Sequence, residues 1–98
     1  MKTFLITYMY DTESSTIDQL RPPHRAFLAQ LKEEGKLVGS GRLVEGTGAG
    51  NAIIILQLSE NSTIADVEKL LEDDPFCNHN AIDGRTIQVW DPTLKIWD

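Results

Sequence analysis

Five consecutive apolar residues, Ala52-Ile53-Ile54-Ile55-Leu56, limit the folds open to this chain more than any other stretch. They lack the alternation of a strand with one wet face, so they predict a strand over residues 52–58 that is buried on both sides. One layer of helices covers only one side of a sheet. The chain has 98 residues, enough for a single domain and core but small enough that a bare sheet face would leave it marginal. A second copy, packed sheet to sheet, is the expected cover.

The other elements follow from period and punctuation. Residues 2–10 alternate, with Phe4, Ile6, Tyr8 and Tyr10 on one side and Leu5 and Met9 on the other, and read as the first strand. Residues 11–16 read as a loop, and residues 16–20 as a short helical turn ahead of the prolines. The first helix is expected over residues 21–34, with Pro22 and Pro23 in its first turn, where a missing N–H costs nothing, and Gly35 as its left-handed cap. Residues 37–43 form the second strand, in which Gly39 and Gly41 permit a bulge. The glycines of residues 45–51 suit a hairpin loop; they lack the Gly-Lys-Ser/Thr ending of a phosphate-binding loop and no helix follows them. Thr63 and Asp66 are spaced as a capping box for a second helix, which Pro75 stops near Asp74. Residues 76–84 read as a loop, residues 85–90 as the fourth strand, and Ile96-Trp97 as an apolar tail that docks on the body. The resulting order is βαββαβ, an α+β, ferredoxin-like fold with a four-stranded antiparallel sheet and two helices on one face.

Two polar residues interrupt the apolar stripes of those helices. His24 stands i−3, i−4 and i−7 from Phe27, Leu28 and Leu31, and Asp74 continues the stripe of Val67, Leu70 and Leu71. Burying either one alone is costly, so each needs a partner. In an antiparallel ferredoxin-like fold the start of the first helix and the end of the second reach the same edge of the sheet. His24 and Asp74 are therefore expected to meet there, with Ser40 on the second strand and Tyr8 and Tyr10 on the first collected at the same rim. Arg21 is a candidate for holding an anionic substrate, or for pairing with Asp73 or Asp74 at the helix N-terminus it opposes.

Arg21-Pro22-Pro23-His24, the helix end Glu34-Gly35 followed by Leu37, the Ser40-Gly41 step and Asp74-Pro75-Phe76 together resemble the signature of YciI-like (YCII-related) proteins, over roughly residues 2–90. The resemblance implies a dimeric α+β barrel, two ferredoxin-like sheets packed face to face, and a single YciI-like domain over residues 1–98. It also implies a site centred on a His and an Asp, here His24 and Asp74, with Ser40 at a neighbouring hydroxyl position. One branch of the family is associated with dehydrochlorination of a hydroxylated aromatic. Where the family often has Pro after Ser-Gly, this chain has Arg42.

Charge and composition exclude several classes. Nine Lys and Arg against fifteen Asp and Glu give a formal charge of −6 and a pI of about 4.7, and no basic cluster is present to neutralise phosphates. Nucleic acid and anionic membranes are not expected partners. The lone Cys77 fits a reducing cytoplasm and reads as a packing residue, since three acidic residues precede it. No stretch approaches the ~20 apolar residues of a membrane span, and the N-terminal apolar run is too short for a signal peptide. His79 lies in the polar stretch Asn78-His79-Asn80 and reads as an exposed loop residue. No Cys/His spacing suggests a metal, no dinucleotide fingerprint occurs, and no cofactor is expected. Two functions fit: a cofactor-independent lyase or isomerase moving protons on a small aromatic or carbonyl compound through His24 and Asp74, or a non-catalytic module that holds a small ligand in the same pocket. Either would work as a homodimer.

Overall fold

The sheet is assembled outward from β1 (Lys2–Met9), which pairs antiparallel with β3 (Ala52–Leu58) on one side and with β4 (Gly84–Trp90) on the other. With β2 (Leu37–Arg42) at the outer edge of β3, the strand order is β2-β3-β1-β4, the ferredoxin-like arrangement. The computed structural model describes residues 1–97. Pleating sends Phe4, Ile6 and Tyr8 to one face, beside Leu56, Ile54 and Ala52 across one ladder and Val89 and Ile87 across the other. Phe4, Ile6 and Leu56 are fully buried on that face under the helices. Their alternates Leu5, Ile53 and Ile55 are only half-buried on the opposite face. The apolar run in β3 thus has cover on one side only within a single chain.

The first helix begins earlier than the prolines imply. α1 runs unbroken over Ser15–Glu33, capped by the Ser14 side chain and anchored by the buried Ile17, so Pro22 and Pro23 lie inside it rather than in a first turn. Each proline removes one intrahelical donor. The carbonyls left over belong to Asp18 and Gln19, which are exposed and open to water, as are the prolines themselves. Gly35 ends the helix at φ 75°, the left-handed cap expected of it.

The bulge in β2 falls at Val38, one residue ahead of the Gly39-Ser40-Gly41 stretch: Leu37 pairs with Leu56, but Gly39 pairs with Ile55. Its effect is a change of phase. Without the extra residue, Gly39 and Gly41 would share the helix-facing side with Leu37. With it, Ser40 and Arg42 take that side, opposite Ile54 and Ala52.

The Thr63–Asp66 capping box starts α2 (Ile64–Leu71) as expected. The segment after it differs from expectation. α2 ends at Leu71, and Asp74 does not extend its stripe; it caps a separate short helix, α3 (Pro75–Asn78), where a loop was expected. Asp-Pro reads as a helix stop when taken from the left and as a helix start when taken from the right, with Asp at the cap and Pro at the first position. At the C-terminal end Trp97 packs against Trp90, ring centroids 5.8 Å apart, whereas Ile96 is fully exposed rather than docked. Among the described residues no helix is long and apolar enough to cross a membrane.

Candidate functional site

Asp74 is fully buried and accepts three hydrogen bonds. Its Oδ1 accepts from the Phe76 backbone N–H at 3.0 Å, which is the α3 cap, and sits 2.8 Å from His24 Nδ1. Its Oδ2 accepts from the Tyr8 hydroxyl at 2.7 Å. One carboxylate therefore ties together β1, α1 and α3. The antiparallel geometry does bring His24 and Asp74 to one place, although Asp74 arrives there as the cap of α3 and not as the last turn of α2.

With Nδ1 committed to Asp74, the His24 ring is further confined by Phe76, on which it lies flat at a centroid distance of 3.9 Å and an interplanar angle of 2°. Nε2 has no protein partner among the described residues and is not sealed from solvent. It opens on a cavity of about 230 Å³. Tyr8, Tyr10, Phe76 and Leu28 supply ring and apolar walls; Ser40 lies at the edge on β2, and Arg21, Arg25 and Arg42 complete the rim. Asp74 is not in the lining and acts only through His24 and Tyr8.

The Tyr8 hydroxyl is held far above the usual tyrosine range, first by burial and then by the neighbouring Asp74 charge. It stays a donor at any pH the fold survives. Behind it, Cys77 Sγ donates to Tyr8 Oη at 3.3 Å and accepts from Arg85 Nη1 at 3.2 Å. Burial pushes the Cys77 thiol up, although its bonds to Tyr8 and Arg85 pull the other way. A protonated, half-buried thiol is a packing and bridging group, as its acidic context suggests.

Of the residues singled out in the sequence, Tyr8, Tyr10, Arg21, His24 and Ser40 line the cavity. Arg21 pairs with neither Asp73 nor Asp74; its Nη1 bonds Asp18 Oδ1 at 2.8 Å, one turn back along the longer α1. His79 is exposed, with Nδ1 3.2 Å from the Pro75 carbonyl, and takes no part. Sequence reasoning gave no role to Phe76 or Arg25, and marked Arg42 only as the residue standing where the family often has Pro. The signal for Phe76 was the Asp-Pro helix start, which places the next residue in a first turn beside the capping carboxylate. Among the described residues no group of three or more His, Cys, Asp or Glu is placed to hold a metal ion.

Together, the antiparallel β2-β3-β1-β4 sheet, its helical layer and a carboxylate-held histidine at one edge define a ferredoxin-like α+β protein with a small polar cavity. Residues 1–91 match the model of the YCII-related domain, and the chain belongs to that family. A search of the curated proteins found no match. Among solved structures, the chain is similar to 5-chloro-2-hydroxyhydroquinone dehydrochlorinase (TftG) from Burkholderia phenoliruptrix AC1100 in complex with 2,5-dihydroxybenzoquinone. The TM-score is 0.72 at 23% identity, covering 91% of this chain and 93% of that one. An antibiotic biosynthesis monooxygenase aligns at TM-score 0.57 and 14% identity over 93% and 97% of the two chains. Protein Atu4242 from Agrobacterium tumefaciens aligns at 0.56 and 16% over 95% and 94%. At these identities the likeness is one of fold.

Proposed function

We propose that this protein is a cofactor-independent enzyme that moves a proton on a small aromatic or carbonyl compound, in an elimination or isomerisation, with His24 as the base and then the acid. The observation that carries the reading is the imidazole held by Asp74 at Nδ1 while Nε2 opens on the cavity. A ring that donates from Nδ1 to a carboxylate presents the lone pair of Nε2, the form that accepts a proton. The carboxylate stabilises the imidazolium that results, and the Tyr8 and Phe76 donors keep it in place while the charge appears. Tyr10 and Phe76 give the cavity aromatic walls suited to a ring substrate. The dehydrochlorinase with its bound dihydroxybenzoquinone, similar in fold, supports hydroxylated aromatics as the first compounds to try.

The test is a panel of hydroxylated and halogenated single-ring aromatics and keto acids, incubated in D₂O and followed by NMR for solvent-derived deuterium and for released halide. Turnover by the native protein that falls by roughly 10² to 10⁴ in His24→Ala, the usual worth of a general base, is the expected result. Unchanged turnover in His24→Ala overturns the assignment. Saturable binding of panel compounds with no exchange or release in either protein would favour the ligand-holding alternative.

A further inference from the structure

The cavity is charged against the grain of the molecule. The chain carries a net charge of −6 and has four arginines, of which three, Arg21, Arg25 and Arg42, line this one cavity beside His24. No Asp or Glu is in its lining. Arg21 is partly neutralised by Asp18, but Arg25 and Arg42 form no ion pair among the described residues. Arg42 reaches the cavity because the bulge at Val38 turns it to the helix side of β2. Arg21 and Arg42 also line a second cavity of about 370 Å³ that shares Tyr10 with the first, so they stand where the two adjoin.

Unpaired guanidinium groups converging on a concave, acid-free surface recognise carboxylates and other planar oxyanions, which they bind through paired N–H donors. On an acidic protein the same cluster is a local positive focus that draws an anion past a repelling surface. Size narrows the class where the chemistry would occur: the part of this space beside His24, about 230 Å³, lies below the roughly 300 Å³ at which drug-sized ligands begin to fit and suits a single ring or a short chain. We infer that the cavity selects small, single-ring or short-chain anions, with the anionic group at the Arg25–Arg42 rim and the rest of the molecule against Tyr10, Leu28 and His24. The inference rests on this cavity being the substrate site, as proposed above, but concerns binding and is measurable without turnover.

Benzoate and its uncharged isostere benzamide are the probes. Titrations of the native protein followed by amide and side-chain NMR shifts should show benzoate bound at least tenfold more tightly, with shifts at Ser40, Arg42 and the His24 ring. Its affinity should fall as salt is raised. Arg42→Gln should weaken benzoate about five- to tenfold and leave benzamide unchanged, a discrimination that a merely structural role for Arg42 would not produce. Arg42→Lys should recover part of the loss. Equal affinity for the two probes, no saturable binding of benzoate, or shifts confined to surfaces away from this cavity would each overturn the inference. A protein that prefers benzoate but never turns over any substrate defeats the enzyme reading alone; turnover restricted to uncharged compounds, with no anion preference, defeats this one alone.

Discussion

His24 and Phe76 are stacked ring on ring, with centroids 3.9 Å apart and planes 2° from parallel. Asp74 fixes one atom of the imidazole, but a single hydrogen bond leaves the ring free to swing about it; the phenyl face removes that freedom. Phe76→Leu should therefore lower turnover of an identified substrate about tenfold or more with little change in KM, because it loosens aim rather than binding. Phe76 is also buried core, so Phe76→Ala should cost about 3–5 kcal/mol in urea denaturation. Steady-state kinetics on the Leu variant and unfolding curves on the Ala variant separate the two effects.

Asp74 should respond differently to two substitutions. Asp74→Ala strands the Tyr8 hydroxyl, the Phe76 N–H and His24 Nδ1 in a buried site, and at about 1–3 kcal/mol for each unsatisfied donor it should destabilise by about 3 kcal/mol or more. Asp74→Asn keeps an acceptor oxygen for two of them and should fold with a smaller loss. It should still lose roughly 10²-fold or more in turnover, because the imidazolium formed in the reaction no longer faces a negative charge. An Asn variant with native turnover would show that the carboxylate charge plays no part.

Stability should fall in alkali, with a sign set by Tyr8 and Cys77. Both have folded-state values raised above those of the unfolded chain. Their contribution is therefore complete below the unfolded values, about 8.5 for the thiol and about 10 for the phenol, and declines as pH rises beyond each. Urea midpoints measured between pH 7 and 11 should drop above those values. Tyr8→Phe should flatten the part of the profile above pH 10, at the cost of one buried hydrogen bond to Asp74 at neutral pH, about 1–3 kcal/mol. A native-like slope in Tyr8→Phe would contradict this account.

The half-buried face of Leu5, Ile53 and Ile55 should be the contact between two copies. Sedimentation equilibrium at micromolar concentration should give twice the 11.0 kDa mass of the chain. Ile55→Lys should return the single-chain mass while far-UV circular dichroism remains that of a folded α+β protein. An 11.0 kDa species for the native protein at those concentrations would remove the dimer.

The two prolines inside α1 make a further expectation. Each interrupts the ladder of a 19-residue helix on its wet side. Pro22→Ala restores an N–H facing the Asp18 carbonyl and should stabilise the fold by about 1–3 kcal/mol, less than the full helix-interior penalty because water already serves that carbonyl. A decrease in the thermal midpoint would mean that the proline shapes the helix in a way the rest of the fold requires.

The sequence by itself determined the four strands, the first and second helices, the Gly35 cap and the capping box at Thr63, and it brought His24 and Asp74 to one rim, though by placing Asp74 in the last turn of α2 rather than at the cap of α3. These depend on periodicity and on residues a few positions apart, and the antiparallel order then decides which element ends coincide. Only the tertiary structure decided the rest. The bulge at Val38 is a one-residue shift in pairing that no local propensity announces, yet it selects Ser40 and Arg42 over two glycines for the site. Tyr8 meets Asp74 across 66 positions of chain and His24 meets it across 50, so the roles of the carboxylate, cap for α3 and acceptor for both side chains, appear only when three elements are packed. The continuity of α1 through Pro22 and Pro23 was decided in the same way. Burial of Ile17 and the Ser14 cap hold a turn that the prolines alone would have broken off, because tertiary packing outweighs the loss of two hydrogen bonds whose acceptors face water.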